Sequence, residues 1–161
     1  MTIADLIIGP DGAVREVTLS AEEETALRAA WAASAAPRPT QVDAECERRT
    51  VMGFAFRGVS YQLNERSIAR ITAMGADARF AVLAGAAEGN TRWADPDNDF
   101  GWIASDNTIT PMDAPTMAAF ADAAKRWVSQ HTFVARAIKD MDPIPADYAD
   151  DGRWPSAEEA I

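Results

Sequence analysis

The chain has 161 residues, of which 48% are hydrophobic and 25% charged, and its formal net charge is −10. This length and balance predict one soluble globular domain, or one domain with an arm. The acidic charge repels nucleic-acid phosphates and anionic lipid, and no apolar run approaches the roughly 20 residues of a membrane span. We therefore expect neither nucleic-acid binding nor membrane insertion.

A single cysteine, Cys46, limits the metal and redox chemistry that the sequence supports. One cysteine forms no intramolecular disulfide and no thiolate metal cluster. It lies in the charged run of residues 43–49 (DAECERR), where flanking carboxylates are expected to raise the thiol pKa. We predict a structural residue and not a nucleophile.

The N-terminal segment, residues 1–40, predicts a hairpin followed by a helix. Apolar stretches flank Pro10, Asp11 and Gly12, a turn sequence, and residues 20–23 (SAEE) form a capping box that begins a helix over residues 21–35. Leu27 and Trp31 are the large apolar side chains of this helix, and prolines near residues 36–40 predict a linker. We expect a docking arm. The alternative is that its strands join the sheet of the main domain.

A compact domain is predicted over residues 45–140. Alternating apolar residues on both sides of Arg57-Gly58 predict a hairpin, and Asn64 is placed to cap a helix that reaches about residue 87. A second hairpin turns at Asp106-Asn107. The expected fold class is α+β, with two β-hairpins forming an antiparallel sheet covered by two helices.

The longest predicted helix begins after Asp113 and carries a continuous apolar stripe. Its residues recur every three or four positions and are Met117, Phe120, Ala124, Trp127, His131, Val134 and Ile138. His131, the single histidine, is predicted to be a packed residue with one hydrogen bond and not a catalytic base. Prolines then end the helix, and residues 141–161 are predicted to be a polar tail.

Four apolar side chains are candidates for contact with a partner. Leu27 and Trp31 belong to the arm, whereas Trp93 and Trp154 lie in polar, loop-like surroundings. Buried tryptophans commonly anchor interfaces. The alternative for Trp93 and Trp154 is that they cover edges of the core.

An acidic loop offers a weak calcium candidate in Asp95, Asp97 and Asp99. Hard carboxylate oxygens are calcium ligands, but the EF-hand pattern needs a glycine at its sixth position, where this loop has Phe100. The sequence also contains no glycine-rich phosphate loop and no nucleophile-elbow motif. We therefore predict no metal, no cofactor and no catalytic residue.

Residues 49–139 resemble an uncharacterised family of phage and prophage domains that are encoded among tail-fibre and tail-assembly genes. The resemblance is carried by residues 54–62 (FAFRGVSYQ), residues 67–70, residues 102–108 (WIASDNT) and the long helix. These features are structural, and the family has no catalytic signature to transfer.

The resemblance implies a non-catalytic structural component of a phage tail, either a tail-fibre or a baseplate-associated virion protein. Its partners would be other tail proteins and copies of itself, and it would be found in the virion tail and, during assembly, in the host cytoplasm. One alternative is a tail-fibre assembly chaperone that is absent from the mature virion. Another is a small enzyme acting on envelope sugars, which would need a carboxylate pair that the sequence does not place.

Overall fold

The computed structural model describes residues 4–8 and 14–156, and the chain divides into two compact units, Met1–Pro37 and Arg38–Ile161. Helices and antiparallel hairpins together make an α+β fold, which confirms the predicted class. Within the described residues, no helix is both long and apolar enough to cross a membrane.

The first unit contains a hairpin and one helix, in agreement with the sequence pattern. Strands β1 (Ala4–Ile8) and β2 (Val14–Thr18) pair antiparallel, and helix α1 spans Ala21–Ala35. The predicted capping box is confirmed, because the Ser20 N–H donates to the Glu23 carboxylate at 2.9 Å and the Glu23 N–H donates to the Ser20 hydroxyl at 3.3 Å. The predicted turn at residues 10–12 lies outside the described residues.

The second unit alternates helices with short hairpins. Its elements are α2 (Pro39–Met52), β3 (Phe54–Phe56), β4 (Val59–Tyr61), α3 (Glu65–Leu83), β5 (Gly101–Ile103), β6 (Ile109–Pro111) and α4 (Ala114–Lys139), followed by a single 3₁₀ turn at Asp151–Arg153. The predicted caps are confirmed, since Asn64 accepts from the Ser67 N–H at 2.9 Å and Asp113 accepts from the Thr116 N–H at 2.8 Å. Side chains close in sequence therefore set the starts of α3 and α4.

Both predicted hairpins form, but they do not merge into one sheet. Strand β3 pairs with β4 and β5 pairs with β6, and each pair is a separate two-stranded sheet. The turn between β3 and β4 uses Arg57 and Gly58 with φ of 50° and 78°, as a two-residue hairpin requires. The hairpins meet where the Ser105 N–H donates to the Ser60 carbonyl at 2.9 Å. The predicted single sheet is thus corrected to two hairpins.

The main core lies between α3, α4 and the two hairpins. Phe120 of α4 is fully buried, and its ring lies 5.5 Å from Phe54, 4.7 Å from Tyr61 and 5.8 Å from Trp102. The predicted stripe of α4 is buried, with Val134 half-buried. The long amphipathic helix therefore organises the unit, as its periodicity predicts.

Helices α3 and α4 approach each other closely at Gly75. A Cβ atom added to Gly75 would lie 2.3 Å from the Cβ of Ala121, well inside van der Waals contact. Glycine in a helix costs about 1 kcal/mol relative to alanine, and here the close packing explains it. Helix α3 is less buried toward its C-terminal end, where Val82 is 40% exposed.

Helix α2 and the folded C-terminal stretch were not predicted. Helix α2 begins at Pro39, inside the predicted linker, and extends over the charged run of residues 43–49. Its Val42 is buried in a second cluster with Ala135 and Ile138 of α4 and with Ile144 and Trp154. The second unit therefore reaches beyond the predicted limits of residues 45 and 140.

Candidate interaction surfaces

Helix α1 carries two of the predicted contact residues on an unburied surface. Leu27 is half-buried and Trp31 is 55% exposed. No side chain between residues 19 and 31 is buried, although the structure describes all of them. Within this stretch Arg28 pairs with Glu24, one helical turn earlier, at 2.6 Å. This stretch of α1 therefore lacks the packed apolar face that normally stabilises a helix.

Trp93 covers an edge of the main core. It is half-buried, its indole N–H donates to the Met112 carbonyl at 3.0 Å, and its ring meets Phe100 edge-on at 4.8 Å. Its polar and apolar parts both have contacts within the unit. This arrangement matches the alternative in which the tryptophan closes the core.

Trp154 is buried and anchors the C-terminal stretch. It is 5% exposed, and its indole N–H donates to the Tyr148 carbonyl at 2.7 Å. The Arg49 guanidinium lies 5.3 Å from its ring centroid and the His131 ring lies 5.9 Å away. Since so little of this side chain reaches solvent, it has almost no surface to offer a partner. The indole instead joins the tail to α2 and α4.

Arg49 connects α2 to the same stretch through polar contacts. Its guanidinium donates to Glu45 at 2.5 Å, to Asp151 at 2.8 Å and to the Ala149 carbonyl at 2.7 Å. Hydrogen bonds from Arg48, together with Arg49, hold the pKa of Glu45 below its usual value. A cavity of about 540 Å³ lies beside this network. The charges around it are paired with one another.

His131 is packed as predicted. It is 1% exposed, and its Nδ1 lies 2.9 Å from the Trp127 carbonyl one helical turn earlier. Burial lowers the pKa of this imidazole, and the nearby positive charge of Arg49 lowers it further. The neutral form is therefore favoured, in a position between the rings of Trp127 and Trp154.

In the acidic loop, the carboxylates of Asp95 and Asp99 accept hydrogen bonds from residues close in sequence. Asp95 accepts from the Asp97 N–H and from the Asn98 amide, both at 2.9 Å. Asp99 accepts from the Thr91 hydroxyl at 2.8 Å and from Arg92 at 3.2 Å. These hydrogen bonds hold the pKa values of Asp95 and Asp99 below the usual range. Over residues 4–8 and 14–156, no group of three or more His, Cys, Asp or Glu side chains is arranged to hold a metal ion.

Cys46 lies half-buried on α2, against the second cluster. Its thiol pKa is raised as expected, but burial is the largest cause, and the charges of Asp43 and Glu47 add to it. A high thiol pKa keeps the nucleophilic thiolate scarce at neutral pH. The predicted structural role therefore agrees with its position.

Sequence reasoning missed several exposed apolar side chains. Phe80 and Leu83 of α3 are 71% and 83% exposed, and the facing pair Ile103 and Ile109 of the second hairpin are 62% and 70% exposed. Phe80 and Leu83 do not continue the three- and four-residue spacing of the buried α3 residues Ile71, Gly75 and Ala78.

The fold and these surfaces define a small α+β domain with an N-terminal arm. Residues 28–152 match the family model described as "Domain of unknown function (DUF4376)", and the chain belongs to that family. The match covers α2 and reaches into the 3₁₀ turn, so it is wider than the resemblance over residues 49–139. No curated protein and no solved structure matches the chain.

Proposed function

We propose that the protein is a non-catalytic structural component of a phage tail, a tail-fibre or baseplate-associated protein that acts by binding other tail proteins. The phage setting rests on the resemblance of residues 54–62 and 102–108 to phage and prophage domains. The mode of action rests on one observation, the absence of buried side chains over residues 19–31, which include most of α1. In this proposal α1 is the docking element.

The low stability expected of an isolated α1 supports this role. A helix of 15 residues is marginally stable by itself in water and normally depends on tertiary packing. The described side chains of residues 19–31 include none that is buried. A two-stranded hairpin such as β1–β2 is also marginal on its own. Such a segment gains order when a partner covers its apolar residues.

Leu27 and Trp31 supply the apolar contact in this proposal. Full burial of an exposed large apolar side chain is worth about 1.5–3 kcal/mol. Leu27 is already half-buried and Trp31 is 55% exposed, so the two together contribute less than the full sum of about 3–6 kcal/mol before ordering costs. Three consecutive glutamates, residues 22–24, lie in the first turn of α1. Their charge favours a partner surface with basic residues at its rim.

Deletion of Met1–Pro37 tests the docking role. The remaining chain keeps every element of the second unit and should unfold cooperatively with an unchanged midpoint. In purified particles of the phage that encodes it, mass spectrometry should find the full-length protein at fixed stoichiometry and the truncated protein absent. Normal incorporation of the truncated protein would contradict the docking role.

A double substitution gives a finer test. Leu27→Ala with Trp31→Ala should prevent incorporation, whereas Leu83→Ala, at an 83% exposed position of the second unit, serves as the control and should not. Full-length protein that binds tail proteins in infected cells but is missing from particles would favour the assembly chaperone instead.

A further inference from the structure

Among the residues that the structure describes, no strand pairs with the outer edge of β5. The Ala104 N–H donates to the Thr108 carbonyl at 2.9 Å, which makes these residues a hydrogen-bonded pair. Such pairs alternate along an antiparallel ladder, so the main-chain groups of Gly101 and Ile103 point away from β6. Pro111 lies opposite Gly101, at a pair that exchanges no hydrogen bonds between the strands. Its missing N–H therefore costs the ladder no bond.

A groove of about 380 Å³ borders this edge. Its lining includes the edge itself, residues 101–104, together with Gln62 after β4 and Ser67 and Arg70 of α3. Further along the same edge, Ser105 bonds to β4 of the first hairpin. Toward Gly101, no described hydrogen bond joins the two hairpins, and the groove occupies the space beside the strand.

The groove presents an uncommitted positive charge. Arg70 is exposed and forms no ion pair with any described residue, in a chain whose net charge is −10. A guanidinium offers several N–H donors that match a carboxylate. Ile103 adds an apolar side chain that is 62% exposed at the strand edge. Main-chain donors and acceptors, a cation and an apolar side chain thus line the same groove.

We propose that this groove binds an extended acidic segment of a partner protein, which adds to the outer edge of β5 as a further strand. The main chain of the segment bonds to Gly101 and Ile103, and one of its acidic side chains pairs with Arg70. In strand addition, main-chain bonds give affinity and side chains give specificity. This inference rests on the proposed interaction role but uses a different surface from α1.

Peptide binding to the full-length chain tests the proposal. The probe is an acetylated and amidated peptide of about six residues, the usual strand length, in which valine alternates with glutamate. Its counterpart carries lysine in place of glutamate. In NMR titrations, the glutamate peptide should shift the amide signals of Gly101 and Ile103, and the lysine peptide should bind at least about tenfold more weakly.

Charge variants test the role of Arg70. Arg70→Glu should weaken binding of the glutamate peptide by about tenfold or more, the scale expected for a charge-assisted hydrogen bond. Arg66→Glu is the matched control, one helical turn earlier and outside the groove lining, and should change binding by less than about threefold. Both substitutions are on an exposed face of α3 and leave the core untouched.

Proline variants test strand addition. Ile103→Pro removes an outward N–H without removing a bond to β6, and it should abolish binding. Its facing residue gives the control, because Ile109→Pro removes the corresponding N–H on the far edge of the same hairpin and should leave binding intact. If a proline variant fails to fold, the binding of the glutamate peptide to Arg70→Glu still tests the proposal.

Three results would overturn the proposal: no binding of either peptide at about 1 mM, equal binding of both, or unchanged binding by Arg70→Glu. The particle experiments on α1 can fail without affecting these titrations. A negative result for one of the two proposals therefore does not decide the other.

Discussion

Replacement of Trp154 by alanine tests whether the C-terminal stretch belongs to the folded unit. Truncating a buried tryptophan costs about 3–5 kcal/mol. Residues 144–154 follow α4 as a separate stretch, so we expect α4 to stay folded if they detach. The loss of stability caused by the substitution is then no larger than the free energy with which this stretch docks. Two buried apolar side chains, Ile144 and Trp154, dock this stretch, each worth about 1.5–3 kcal/mol. We expect Trp154→Ala to lower the free energy of unfolding by about 3 kcal/mol.

Urea unfolding followed by circular dichroism measures this loss, and a melting temperature lower by about 10 °C should accompany it. Trp31→Ala is the contrasting variant, because Trp31 is 55% exposed and should change stability by no more than about 0.5 kcal/mol. A Trp154→Ala protein as stable as the wild type would show that the docked stretch contributes nothing to folding. A Trp31→Ala protein with the larger loss would reverse the assignment of the two tryptophans.

Other substitutions test the core and the titrating groups. Trp127→Ala should cost about 3–5 kcal/mol in urea unfolding. Burial lowers the pKa of His131, so wild-type stability should be full above about pH 6.5 and fall as the pH drops below it, and His131→Leu should remove this part of the pH dependence. Gly75→Ala should destabilise the protein by about 1–3 kcal/mol, and added Ala121→Gly should recover part of that loss, as measured by a double-mutant cycle. Burial raises the pKa of Cys46, so its alkylation near pH 7 should be slower than that of a free thiol, and equal rates would contradict a protected thiol.

The candidate surfaces were only partly predictable. Leu27 and Trp31 were identifiable because they are the large apolar residues on an otherwise small and polar helix. Trp93 and Trp154 have equally polar neighbours in sequence, yet both make their contacts inside the second unit. The groove beside β5 gave no sequence signal, since Arg70 and Gly101 come together only through the folded arrangement of α3 and the second hairpin.

Local patterns in the sequence determined the hairpin around Arg57-Gly58, the capped starts of α3 and α4, and the apolar stripe of α4. Each depends on residues a few positions apart, whose hydrogen bonds or shared helix face are set by backbone geometry. Tertiary structure alone decided the rest. Helix α2 buries only Val42, so its packing against α4 and the C-terminal stretch leaves almost no periodic signal. The separation of the hairpins was likewise decided by where α3 and α4 hold them, because strand pairing between distant segments depends on contacts that no local pattern records.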